Sequence, residues 1–191
     1  MPRSYLCFTA ALAVAAAVVA GCRKGDSGEM YFCQGTYALC TSAPCVPIPN
    51  SNQATCSCEV LQGSSMAGAP CDTVAPGKDS SGNETVYSMF SLAQFNEGDR
   101  VMFCAKDKPW SWCLDKPCTV DPKDPGRASC ICDIVTDSKH AWLTLGGDCN
   151  TSTCDTAYWS AATLEDFDAG TKFLRSHGQD IEPQWCEGSR P

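Results

Sequence analysis

Alternation of apolar and polar positions marks two short stretches of the chain, CSCEV at 56–60 and CICDIV at 130–135. A period of two with β-branched residues predicts a strand at each. The blocks that end in Phe-Cys, at 30–33 and 101–104, read as apolar strand starts. Segments 41–53 and 114–128 are rich in Pro, Asn, Asp and Ser, and predict irregular loops. A helical period replaces the alternation in SLAQFNEG at 91–98 and TLEDFDAG at 163–170. Leu92 with Phe95, and Leu164 with Phe167, fall on one helical face. Ser91 and Thr163 suit N-caps, Gln94 and Asp166 stand as capping-box partners, and Gly98 and Gly170 stand as C-caps. One short helix is expected from each.

These elements come in a repeated order. MYFC at 30–33 returns as VMFC at 101–104, ALCTSAPC at 38–45 as SWCLDKPC at 111–118, and ATCSCEV at 54–60 as ASCICDI at 128–134. CDT at 71–73 returns at 154–156, and the helical block at 91–98 returns at 163–170. The expected organisation is a tandem duplication, with one disulfide-rich module at 30–100 and a second at 101–191 that includes a C-terminal tail. Segment 74–85 has no equivalent in the second copy, and SKHAWLTLGG at 138–147 reads as an insertion there. The fold class is small and disulfide-rich, mainly β and irregular, with one short helix per module.

Upstream of both copies, Arg3 precedes an unbroken apolar run from Leu12 to Ala20 that ends in small residues. That is a secretory signal pattern over 1–21, too short for a membrane span. Val19-Ala20-Gly21-Cys22 resembles the lipobox of bacterial lipoproteins. The resemblance implies that Cys22 takes a diacylglyceryl thioether and becomes the mature N-terminus, so that residues 22–29 tether the protein to a membrane. It also implies a place in the bacterial cell envelope, facing the periplasm or the exterior.

Cysteine usage extends this picture. The chain has 16 cysteines, and setting aside Cys7 in the leader and Cys22 leaves an even number. Such density in an exported chain signals a disulfide scaffold, in which each bridge contributes roughly 2–4 kcal/mol where the core is thin. Residues i and i+2 of a strand lie about 6.5–7 Å apart on one face, so Cys56 should not bridge Cys58, nor Cys130 bridge Cys132. Each pair instead sends two bridges to the C-x4-C loop of its own copy. Three bridges are expected among Cys33, Cys40, Cys45, Cys56, Cys58 and Cys71, and three among Cys104, Cys113, Cys118, Cys130, Cys132 and Cys154. Within a copy fifteen connectivities stay open. The remaining pair, Cys149 and Cys186, should pin the tail.

Charge and motifs narrow the function classes. The net charge is −8, with 22 acidic residues, which argues against nucleic acid and against electrostatic capture by anionic lipid. No zinc spacing of cysteine or histidine is present, and His140 and His177 occur only in the second copy. Two thiolates on one strand face could chelate Cu(I) or Zn(II), which makes a soft-metal envelope protein one alternative. A hydrolase of envelope polymers is the other. No nucleophile, metal or phosphate motif supports it, and Glu165 with Asp166 lies in the capped helix. No catalytic, cofactor-binding or metal residue is therefore assigned. All five tryptophans lie in the second copy. Trp110 and Trp112 align with Tyr37 and Leu39 and read as core. Trp142, in the insertion, and Trp159, opposite Ser88, are the candidates for a ligand surface. The expected class is a membrane-tethered binding or structural protein whose protein or glycan partner is left open.

Overall fold

The computed structural model describes residues 29–96, 98–104, 109–136, 141–146, 149–150, 154 and 158–189. The leader, Cys22, most of the tether and His140 lie outside the described residues. No helix among the described residues is long and apolar enough to cross a membrane.

The described residues are mainly β, with seven disulfides and two short helices. A nine-stranded sheet runs in the order β1 (Tyr31–Leu39), β3 (Gln53–Ala67), β10 (Asp124–Val135), β9 (Pro117–Asp121), β5 (Glu84–Tyr87) and β4 (Gly77–Lys78). Beside this path, β2 (Cys45–Pro47) and β6 (Phe90–Ser91) pair with β3, and β8 (Trp110–Trp112) pairs with β10. A four-stranded sheet follows the order β12 (Ala162–Thr163), β11 (Trp142–Leu145), β7 (Arg100–Cys104) and β13 (Gln184–Trp185). The two halves of the sequence are thus not separate bodies. Their alternating strands β3 and β10 pair with each other at the centre of the large sheet.

Cysteine and alanine set the inner face of that pairing. The facing pairs are Ala54–Cys132, Cys56–Cys130 and Cys58–Ala128, and all six residues are buried. A methyl group opposite a disulfide leaves room for sulfur without a void, as close packing requires. The bridges are Cys40–Cys58, Cys45–Cys56, Cys113–Cys132 and Cys118–Cys130 at this centre. Farther out lie Cys33–Cys71, Cys104–Cys154 and Cys149–Cys186. Each strand therefore sends its two cysteines to the C-x4-C segment of its own half.

The two segments read as loops turn out to contain strands. In 41–53, Cys45 is both the register partner and the disulfide partner of Cys56, and Cys118 holds the same two relations to Cys130 in 114–128. The covalent bond holds a Pro-flanked segment against its neighbour, which overrides its turn-rich composition. Segment 74–85 holds β4 and the start of β5, which extend the sheet on β9. The stretch read as an insertion is also a strand in part. On β11, Trp142 pairs with Cys104 as Ser65 pairs with Cys33, and Trp142 pairs with Thr163 as Ser65 pairs with Ser91.

Helix α1 spans Leu92–Asn96 and α2 spans Leu164–Ser176. Thr163 and Asp166 form a reciprocal capping box. Ser91 Oγ accepts the Ala93 N–H at 3.2 Å, but Gln94 does not turn back to close a box. Its amide instead donates to the Leu145 carbonyl at 2.9 Å and to Asp99 Oδ2 at 3.1 Å, tying α1 to β11. Gly98 has φ +79°, and the Asp99 N–H bonds the Gln94 carbonyl, so this helix ends where expected. Gly170 does not end α2. The helix runs on to Ser176 and closes in a Schellman arrangement, with Gly178 at φ +79° and the Gln179 N–H on the Leu174 carbonyl. Gly170 lies buried where α2 crosses β3, near Met66. Around that crossing, Met66, Leu174 and Ile181 form one apolar cluster, while Val101, Leu143 and Leu145 form another against Leu164, Phe167 and Trp185.

Candidate functional site

The centre of the molecule has two distinct sides. On the inner side, eight half-cystines form one sulfur stack. Cys40 Sγ lies 3.3 Å from Cys130 Sγ, between two different bridges. The sulfurs of Cys40, Cys58 and Cys130 lie within 4.8 Å of one another, and so do those of Cys45, Cys56 and Cys113. Seven of the eight are buried, and Cys45 is part-exposed. As disulfides these sulfurs offer no thiolate, which a soft metal ion requires.

Deeper on this side is an apolar cavity of about 40 Å³. Its lining draws on both halves, with Met66 and Leu143, Phe95 and Phe167, and Ser88 and Ser160 among it. That volume holds two or three waters at most, too little for an organic ligand.

The outer side is open. Between the inward cysteines, strands β3 and β10 present Thr55, Ser57, Ser129 and Ile131 outward. One row across the sheet reads Val46, Thr55, Ile131, and the row beside it reads Ser57, Ser129, Thr119, Thr85. In the first row two exposed apolar residues, Val46 at 69% and Ile131 at 40%, flank the half-buried Thr55. The second is a line of hydroxyls. A groove of about 510 Å³ runs over Val46, Thr55, Ser57, Ser129 and Thr119, walled by Pro44, Asp121, Pro122 and Arg127.

An ionic pair closes each end of this face. Lys116 Nζ lies 2.6 Å from Asp133 Oδ2, and Gln53 donates to Asp133 Oδ1 at 3.2 Å. Partial burial pushes the Asp133 carboxyl up, but the Lys116 and Gln53 hydrogen bonds and the Lys116 charge outweigh it and bring the pKa below the usual value. At the other end Arg127 lies 3.6 Å from Glu59 and donates to Ser57 Oγ at 2.9 Å. Between these ends the face is uncharged.

The two tryptophans expected at a ligand surface, Trp142 and Trp159, do not line this groove. Trp142 is wholly buried, packed with Met102, Cys104, Trp110 and Cys186, so it is core and not a ligand platform. Trp159 is half-buried against the same cluster. Among the site residues, Val46 and Ile131 went unnoticed. The signal for Ile131 was its place between the two cysteines of a CxC, since a strand that buries i and i+2 must expose i+1, whereas Val46 lies on a segment read as loop.

Elsewhere, Glu165 is exposed and Asp166 is engaged in the capping box, so these two do not act as a carboxylate pair. His177 packs on Phe32 and Phe173, with ring centroids 4.8 and 4.4 Å away. No protein-family model, curated protein or solved structure matches the chain.

Proposed function

We propose that this chain is a lipid-tethered, extracytoplasmic binding protein of the bacterial envelope, built by tandem duplication, which holds its partner on the open face of the central sheet. Exposed Val46 and Ile131, on either side of Thr55 in one register row, carry this reading. Isolated exposed apolar residues need no explanation, but two of them flanking one residue on an uncovered sheet suit a contact surface. Its uncharged middle beside a line of hydroxyls suits an uncharged, extended partner better than a charged one.

Seven bridges favour an oxidising compartment, outside the cytosol. Val19-Ala20-Gly21-Cys22 supplies the expected anchor. The first described strand leaves the tether with Phe32 at 36% exposure beside Phe173 and His177, an aromatic cluster suited to the membrane side.

Recurrent hydrogen bonds support duplication. The Met89 N–H bonds the Ala38 carbonyl, and the Ala161 N–H bonds that of Ser111. The halves also exchange bonds: the Ser88 N–H meets the Lys116 carbonyl, and the Ser160 N–H meets that of Ala43. Five sequence blocks in one order and a shared bonding scheme are what a duplicated ancestor would leave.

Two measurements test the reading. Mass spectrometry of the mature N-terminus should find a diacylglyceryl Cys22, and an unmodified residue there would remove the tether. A photo-crosslinking residue placed at Val46 or Ile131 in cells should trap an envelope component, while one at Asp180 should not. Equal labelling from all three positions, or none, would remove the binding face.

A further inference from the structure

The sulfur stack has a single opening. Of the eight half-cystines at its centre, Cys45 alone is part-exposed, whereas its counterpart Cys118 is 1% exposed. Behind Cys45 lies Cys56, buried and bonded to it, and the sulfur of Cys113 is within 4.8 Å of both. Cys113 belongs to the other half of the chain and is bonded to Cys132. No native bridge among the seven joins residues before 100 to residues after it.

We propose that this stack is a thiol–disulfide exchange site, modified at Cys45 by a small monothiol and rearranging to a Cys56–Cys113 bond that joins the two halves covalently. The thiolate of the small molecule attacks Cys45 Sγ, forms a mixed disulfide there and breaks Cys45–Cys56, and the electron pair leaves on Cys56. The Cys56 thiolate then attacks Cys113 Sγ. A Cys56–Cys113 bond forms, Cys113–Cys132 breaks, and Cys132 leaves as a thiolate that takes a proton from water. Two disulfides enter and two leave, so no oxidant is consumed.

Within the stack, exposure selects the first sulfur, since exchange rates follow access. Proximity selects the second, because a buried thiolate held beside a disulfide reacts at a high effective concentration. The proposal is independent of what the outer face binds or whether Cys22 carries lipid.

The test uses the intact, oxidised protein with reduced glutathione as the monothiol, quenched with N-ethylmaleimide and digested with pepsin at acid pH. Expected are one glutathione mass on the peptide of Cys45, one maleimide on Cys132, and a cross-linked peptide pair joining Cys56 to Cys113. Maleimide on Cys56 without that pair overturns the proposal, and so does glutathione placed first on any buried cysteine. A Cys45→Ser variant exposes the second step alone. Its unpaired thiol should move from Cys56 to Cys132 without added glutathione, and label confined to Cys56 refutes the transfer. Should that variant fail to fold, the wild-type digest decides.

Discussion

Cys56 lies directly opposite Cys130 where β3 meets β10, and each is tied by a disulfide to the strand on its far side, Cys45 on β2 and Cys118 on β9. Four strands from two halves are therefore joined in one line of sulfur across the sheet. Because the bridges replace aliphatic core, losing one should unfold the molecule partway. Replacing Cys40 and Cys58 together by Ala should cost about 3 kcal/mol, as closure of a loop of this length predicts. Replacing Cys113 and Cys132 should cost the same within error, since the two loops are 18 and 19 residues long. Denaturant unfolding of the two double variants checks both statements. A loss under about 1 kcal/mol would mean that apolar packing, not sulfur, holds this centre.

Helix α2 offers a pair of changes with opposite signs. Thr163→Ala removes the capping-box oxygen that accepts the Asp166 N–H and should destabilise by about 1 kcal/mol. Gly170→Ala should do the reverse. A Cβ there meets Met66 Cε at 3.8 Å, an ordinary contact, so the gain in helix propensity of roughly 0.5–1 kcal/mol is not lost to a clash. Thermal unfolding of both variants should show melting points on either side of the parent.

The difference between those two positions shows what the sequence could and could not tell. Thr163 and Asp166 were legible because a capping box is local, and so were the CxC strands and the division of cysteines between the two halves of the sequence. Gly170 was misread as a stop because what carries the helix past it is the packing of Leu174 with Met66, distant in sequence. Strands β2 and β9 were hidden for the same reason, since a bond to a remote cysteine overrode local turn chemistry. The pairing of β3 with β10 was the largest omission. Duplication predicts two similar units but not that they share one sheet, and only the register places Thr55, Ile131 and Val46 in one row.

Trp142 separates core from ligand surface directly. It is fully buried among Met102, Cys104 and Trp110, so Trp142→Ala should cost about 3–5 kcal/mol. Val46→Ser, by contrast, alters a side chain that is 69% exposed and should change stability by less than about 0.5 kcal/mol. If Val46→Ser also reduced crosslinking from Ile131, the effect would lie in binding and not in folding. Comparable destabilisation by the two substitutions would contradict the assignment of Val46 to a free surface.

Two carboxylates, Asp115 and Asp133, should give stability opposite dependences on pH. Asp115 sits at φ +59° and accepts the Gly68 N–H at 3.1 Å, while Ser42, at φ +63°, bonds Thr144 Oγ1 at 2.8 Å and the Leu145 carbonyl at 3.0 Å. Each side chain thus reaches from one half into the other. Burial raises the Asp115 pKa, and the backbone N–H groups of Gly68 and Ala69 only partly oppose it. The native state therefore holds that proton more tightly than the unfolded chain, and Asp115 favours folding at low pH and loses that contribution as pH rises through its native value. Asp133 behaves in the other sense. Its pKa is lowered in the native state, so its contribution is present above the unfolded value of about 3.9 and fades as pH falls through the native one. Asp115→Asn keeps an acceptor for Gly68 and a residue tolerant of the left-handed backbone. It should match or exceed the parent in stability near neutral pH, with the advantage shrinking toward about pH 3. Asp133→Asn should lose stability at neutral pH and converge on the parent in acid. Denaturation midpoints measured across that range decide both cases, and parallel curves for the parent and Asp115→Asn would show that the buried carboxyl titrates alike in both states.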